Sequence, residues 1–144
     1  VLDWADCIVP HAEQIATLYL WLLPAHIGLV CMSVTFFAAR GLGVLADHCW
    51  PMAEWARRGS ALLDTALLGT GGTLWWVLQF NPLHDLWLGT KLLLLPVYIV
   101  LGSMALKRAP TLRMKVGYFV ASLVCVAFMA SIAVKHHPLG FMAP

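Results

Sequence analysis

Residues 15–39 read IATLYLWLLPAHIGLVCMSVTFFAA, an unbroken run of 25 residues without Asp, Glu, Lys or Arg. Roughly 20 apolar residues at about 1.5 Å per residue cover the ~30 Å hydrocarbon core of a bilayer, so this run is long enough to cross as a helix. Working outward, three further segments meet the same test. Residues 60–80 hold one acid, Asp64; residues 86–106 hold one base, Lys91; residues 116–134 hold no charge. The chain is 61% hydrophobic and 11% charged, with a mean hydropathy of +0.82, too little polar material to coat a water-soluble globule of 144 residues. Unpaired backbone groups exclude an open sheet in lipid, and no segment alternates as a barrel strand would. The expectation is an all-α, multi-pass protein: a four-helix transmembrane bundle over residues 15–137, an interfacial tail at 1–14 and a C-terminal tail at 138–144.

The connections carry the orientation signal. Arg40, Arg57 and Arg58 flank the first, and Lys107, Arg108, Arg113 and Lys115 occupy the third; apart from Lys91 within its span, the opposite side keeps only Lys135. This asymmetry predicts that the first and third connections face the cytoplasm and that both termini lie on the periplasmic side. Tyr19, Trp21, Trp75, Trp76 and Trp87 fall near the outer interface, and Trp50, Trp55 and Tyr118 near the inner one. Residues 44–56, too short to span, read as a brief amphipathic element. Asn81-Pro82 and Ala109-Pro110 mark helix breaks. The first 14 residues carry Asp3, Asp6 and Glu13 in place of the basic start of a leader peptide, so no cleavable signal is expected.

Ionisable residues within spans cost about 2.5–3.5 kcal/mol at mid-membrane, which makes His26, Asp64 and Lys91 the informative positions. At 100° per residue, Ser33, Phe37 and Arg40 fall within about 40° of His26, giving the first span a polar seam that must face protein or a cavity. On the second span the face of Asp64 continues through Leu68, Gly71 and Trp75, with Asp64 at a depth similar to Arg40. An intramembrane ion pair between Arg40 and Asp64 is the structural expectation. On the third span Lys91 shares a face with Leu95, Tyr98 and Gly102. Lys91 either snorkels to the interface or points inward as a counter-charge.

His26, Lys91 and Tyr98 are thus candidate cofactor-binding residues, for haem b, another tetrapyrrole or a quinone. A bis-histidine haem lacks a second imidazole at the depth of His26, because His11, His84, His136 and His137 fall at or beyond the outer boundary. No CxxC or other metal-ligand spacing is present, and Cys31 and Cys125 lie inside apolar segments, so neither a metal site nor a disulfide framework is expected. Gly117, Ala121 and Cys125 form a small-residue stripe that reads as a helix-packing face.

The polar positions also carry a resemblance. Tyr19 to Arg40 with His26, Ser33, Phe37 and Arg40-Gly41, then Asp64-Thr65, Thr90-Lys91-Leu92, Tyr98-Ile99-Val100-Leu101-Gly102 and Ala105-Leu106-Lys107-Arg108, resemble the SirB2 family over about residues 18–140. The resemblance implies a small bacterial inner-membrane protein of four helices, in a family named for an association with invasion-gene expression, which is a phenotype and not a chemistry. Members of that family often carry a Pro-His pair shortly before the Asp-Thr; this chain has Ser60-Ala61 there. An early intramembrane histidine and a lysine opening the third span are also loosely similar to bacterial membrane-bound protoporphyrinogen oxidase and copper-resistance membrane proteins.

Three functional classes follow. The first is a non-catalytic accessory or assembly subunit of a larger energy-transducing membrane complex, with lipid and other membrane subunits as partners. The second is a cofactor-binding membrane protein built on His26. The third is a small proton-linked carrier using His26 and Asp64. No complete catalytic motif is present, so no catalytic residue is assigned. A net charge of +2 without a basic nucleic-acid-binding element excludes nucleic acid as a partner.

Overall fold

The computed structural model describes residues 4–79 and 83–142, with side chains from Glu13 onward. Four long helices account for nearly all of it: α1 (Trp4–Leu45), α2 (Glu54–Leu78), α3 (Leu86–Ser103) and α4 (Leu112–Lys135). All four are long and apolar enough to cross a membrane, and this is a multi-pass membrane protein. α1 is longer than the expected span. Its 42 residues rise roughly 63 Å, about twice the thickness of a hydrocarbon core, so helix continues through the segment expected to be a separate tail.

Each helix end has a local cause. After α1 the chain turns at Asp47, in the left-handed region at φ 58°, and a short 3-10 turn at Trp50–Met52 tucks Pro51 into the interior. This turn is all that forms of the expected amphipathic element, because α2 starts at Glu54, six residues before the expected span. α2 stops at Gln79, whose left-handed conformation (φ 53°) lets its N–H reach the Trp75 carbonyl. The Asn81-Pro82 break lies outside the described residues. α3 ends in a π-helical turn, Met104–Arg108, and α4 opens on Thr111, whose hydroxyl accepts from the Met114 N–H at 3.3 Å. Past α4, Gly140 at φ +52° lies directly over Ser131 and brings a final 3-10 turn, Gly140–Met142, back onto the helix.

α1 packs antiparallel on α2, and α3 on α4; α1 then joins the two pairs by touching α4 and the π-helical turn. Among the described residues α2 makes no close backbone approach to α3 or α4. The arrangement is therefore an open bundle, with an unclosed side between α2 and α3.

Buried side chains concentrate along α4, with Phe119, Ser122, Met129 and Ile132, and near the basic end, with Arg40, Ala56 and Ala105. Large apolar side chains such as Leu62, Trp76 and Leu93 point outward instead, which suits helices whose solvent is lipid. Of the small-residue stripe on α4 only Cys125 packs, its Sγ 3.8 Å from the Leu94 carbonyl of α3. Gly117 has nothing near it and Ala121 is exposed, and α4 uses Phe119 and its neighbours to meet α1.

Candidate functional site

The polar seam of α1 is real, and α2 answers it position by position. His26, Ser33 and Arg40 recur every seven residues, which keeps them on one helical face. His26 Nδ1 lies 2.8 Å from Thr70 Oγ1, Ser33 Oγ donates to Asp64 Oδ1 at 3.1 Å, and Arg40 Nη1 donates to Ser60 Oγ at 2.6 Å. These three interhelical bonds fix the antiparallel register of α1 on α2.

The direct Arg40–Asp64 ion pair is not made. Arg40 is buried, and its Nε and Nη2 both donate to the Pro51 carbonyl, at 3.0 and 2.8 Å, while Nη1 takes Ser60. The 3-10 turn presents that carbonyl at the depth of the guanidinium, so backbone and hydroxyl satisfy the planar fork before Asp64, one turn deeper, comes within reach. Asp64 takes the Ser33 hydroxyl instead. Among the described residues, the ion pair within 4.0 Å is Arg58–Glu54, at 2.6 Å on the exposed first turn of α2. Ser60 stands where the resemblance led to an expected Pro-His pair, and it holds the basic end of the seam.

Thr70 was not legible as a partner for His26, because it lies about 120° around α2 from Asp64. The residue on the Asp64 face at that level is Gly71. A Cβ there would meet His26 Cε1 at 3.2 Å, so the glycine lets the imidazole cross α2 to the neighbouring Thr70. A glycine opposite an intramembrane histidine was the available signal.

α3 supplies the other wall. Lys91 is half-buried, and Tyr98 packs edge-on against Phe37, with ring centroids 5.7 Å apart at 66°. Phe37 also meets Phe119 at 5.7 Å, closing the floor toward α4. Gly102 leaves room for the Phe37 ring, whose Cε2 would lie 3.2 Å from an added Cβ. The structure thus brings His26, Lys91, Tyr98, Asp64 and Arg40 along one seam, from the middle of the spans to the basic end. Asp64 remains exposed.

What this seam offers chemically is one imidazole, one ammonium, one phenol and one carboxylate facing a gap between helices. His136 lies apart from it, its ring on Trp87 at 4.9 Å near the start of α3. Among the described residues no cluster of three His, Cys, Asp or Glu side chains is placed to hold a metal ion.

A family profile described as "Invasion gene expression up-regulator, SirB" matches residues 19–138, most of the chain. The chain belongs to the SirB family. Two SirB2 proteins, from Salmonella typhimurium and Salmonella typhi, are each 31% identical to it over 122 residues, covering 82% of this chain and 95% of the relative. No solved structure matches. The SirB match opens at Tyr19, so it takes in every seam residue, α2, α3, α4 and α1 from Tyr19 onward, whereas Trp4 to Leu18 of α1 precede it.

Proposed function

We propose that this SirB-family protein is a non-catalytic subunit of the bacterial inner membrane that docks onto a larger, energy-transducing membrane assembly through the open side between α2 and α3. The observation that carries this reading is Asp64: a carboxylate inside a membrane-crossing helix, exposed, and hydrogen-bonded to one side-chain hydroxyl. Carboxylates at such depth face protein partners or water-filled cavities, not acyl chains. A partner helix that brings a basic or hydroxyl group into the gap would satisfy Asp64 and cover Tyr98 and Lys91 together. Membranes solubilised in mild detergent should show the chain in a large species on a native gel. Asp64→Leu should shift it to the monomer position while far-UV circular dichroism stays helical. A wild-type chain that runs only as a monomer from freshly solubilised membranes would overturn the reading.

A second reading has its own observation, the bond between His26 and Thr70. When the Thr70 proton is engaged on the Ala66 carbonyl, at 2.9 Å, His26 Nδ1 must donate to Thr70 and Nε2 carries the free lone pair. An imidazole held in this way through its other nitrogen is the usual arrangement for a ligating histidine. One such donor with Lys91 and Tyr98 fits a five-coordinate tetrapyrrole or a quinone carbonyl, and does not fit a bis-histidine haem. Purified protein should then show a Soret band, or release a quinone into organic solvent. His26→Ala should abolish either signal, and Gly71→Val, which displaces the ring without removing it, should weaken it several-fold. A colourless, quinone-free protein ends this reading.

A further inference from the structure

A second polar site lies at the basic end, and its lining shares no residue with the seam. Val44, Asp47, His48, Met52, Leu106, Lys107 and Lys115 line a cavity of about 300 Å³, at the lower end of the range of ~300–1,000 Å³ usual for ligand pockets. Its walls come from separate elements, each with its own backbone anchor. His48 N–H bonds the Gly43 carbonyl at 2.9 Å, Ala109 N–H closes the π-helical turn of Lys107 on the Met104 carbonyl at 3.0 Å, and Lys115 N–H bonds the Thr111 carbonyl at 3.0 Å. The π-helical turn matters here, because it sets Lys107 at the rim beside the first turn of α4.

Charge and polarity select the occupant. Asp47 is the one acid lining the cavity, and neither lysine has a carboxylate within 4.0 Å among the described residues. Two ammonium groups therefore line the cavity against one carboxylate, and neither is paired with it within 4.0 Å. Below them, Val44, Met52 and Leu106 form an apolar floor. The neighbouring Trp50 and Trp55 rings stack at 5.9 Å, in keeping with an aromatic belt at the membrane–water boundary. A soluble anion would use the lysines and leave the floor bare; a zwitterionic lipid would bring its own cation toward the lysines.

We propose that this pocket seats the headgroup phosphate of an anionic phospholipid, with Lys107 and Lys115 as its cationic contacts, His48 as a donor, and the first methylenes of the lipid on Val44, Met52 and Leu106. The site is independent of the open seam and of what fills it.

Native mass spectrometry of the full chain in neutral detergent, titrated with dioleoylphosphatidylglycerol or dioleoylphosphatidylcholine, tests this. The glycerol lipid should be retained at least ~10-fold better. A basic residue near an anionic surface contributes about fivefold in binding, so Lys107→Gln and Lys115→Gln should each weaken retention about fivefold, and the double variant about 25-fold. Asp47→Asn should tighten it, and Arg113→Gln, outside the pocket, should leave it unchanged. Both lysines are at the rim and the fold does not rest on them, so the variants remain comparable. Equal retention of the two lipids would overturn the proposal, as would an equal loss in Arg113→Gln, which marks a diffuse basic surface. Full displacement by millimolar inorganic phosphate would overturn it too, since the site would then be one for a free anion.

Discussion

Replacing Arg40 with alanine is expected to lower the stability of the folded bundle by about 3 kcal/mol, the sum of a charged hydrogen bond to Ser60 and an orphaned Pro51 carbonyl. Pro51 is fully buried, so its carbonyl has no water to turn to once the guanidinium is gone. Interhelical hydrogen bonds in membrane proteins average only about 0.6 kcal/mol, and Ser33→Ala or Thr70→Ala should cost near that. The contrast separates Arg40 from the rest of the seam. Arg40 sits five residues before the end of α1, near the interface, so removing its charge recovers little insertion energy. Arg40→Lys keeps the charge but not the planar fork, and should recover less than half of the loss. Unfolding in mixed micelles by added dodecyl sulfate, followed by tryptophan fluorescence, measures all four variants. An Arg40→Ala midpoint no lower than that of Ser33→Ala would show that the carbonyl finds another donor.

The same residue shows where sequence reasoning reached and where it stopped. The four spans, the helical class and the seam of His26, Ser33, Phe37 and Arg40 were legible, because hydropathy and a seven-residue spacing are properties of one chain segment at a time. The partner of Arg40 was not. A carbonyl has no residue code, and Pro51 is brought to the guanidinium by a tight turn whose geometry depends on Asp47 adopting φ 58°. Depth alone made Asp64 the natural partner, and a one-turn difference was enough to redirect both groups. Thr70 was missed for a related reason: the face traced on α2 runs from Asp64 through Gly71, and Thr70 lies beside it, where Gly71 lets the ring reach sideways.

The open side of the bundle was equally invisible in the sequence. Four apolar helices suggest a closed four-helix arrangement, and nothing in the hydropathy of α2 or α3 distinguishes a face that meets lipid from one that meets another subunit. Only the pairing of α1 with α2 and of α3 with α4, joined through α1, reveals that Asp64 faces a gap. The resemblance to SirB2 located the polar positions without saying which of them would meet.

That junction carries the last large effect. Gly41 of α1 lies directly beneath the Phe119 ring of α4, so that a Cβ at residue 41 would fall among its ring carbons. Phe119 cannot simply swing away, because Phe37 packs against it and is itself held by Tyr98 and by the space over Gly102. Gly41→Val should therefore behave as an overpacked core, costing about 2–3 kcal/mol despite the gain in helix propensity from losing a glycine. Since α1 is the element that joins the two helix pairs, the damage should appear as a separation of halves and not as loss of helix. Far-UV circular dichroism should stay near wild type, while a crosslink between cysteines introduced at Val44 and Leu106, which line the same cavity from α1 and the π-helical turn, should fall several-fold. Phe119→Ala added to Gly41→Val removes the obstructing ring, and should restore part of the crosslink even though Phe119→Ala alone is destabilising. If the double variant crosslinks no better than Gly41→Val, the contact between residue 41 and that ring is not what holds the pairs together.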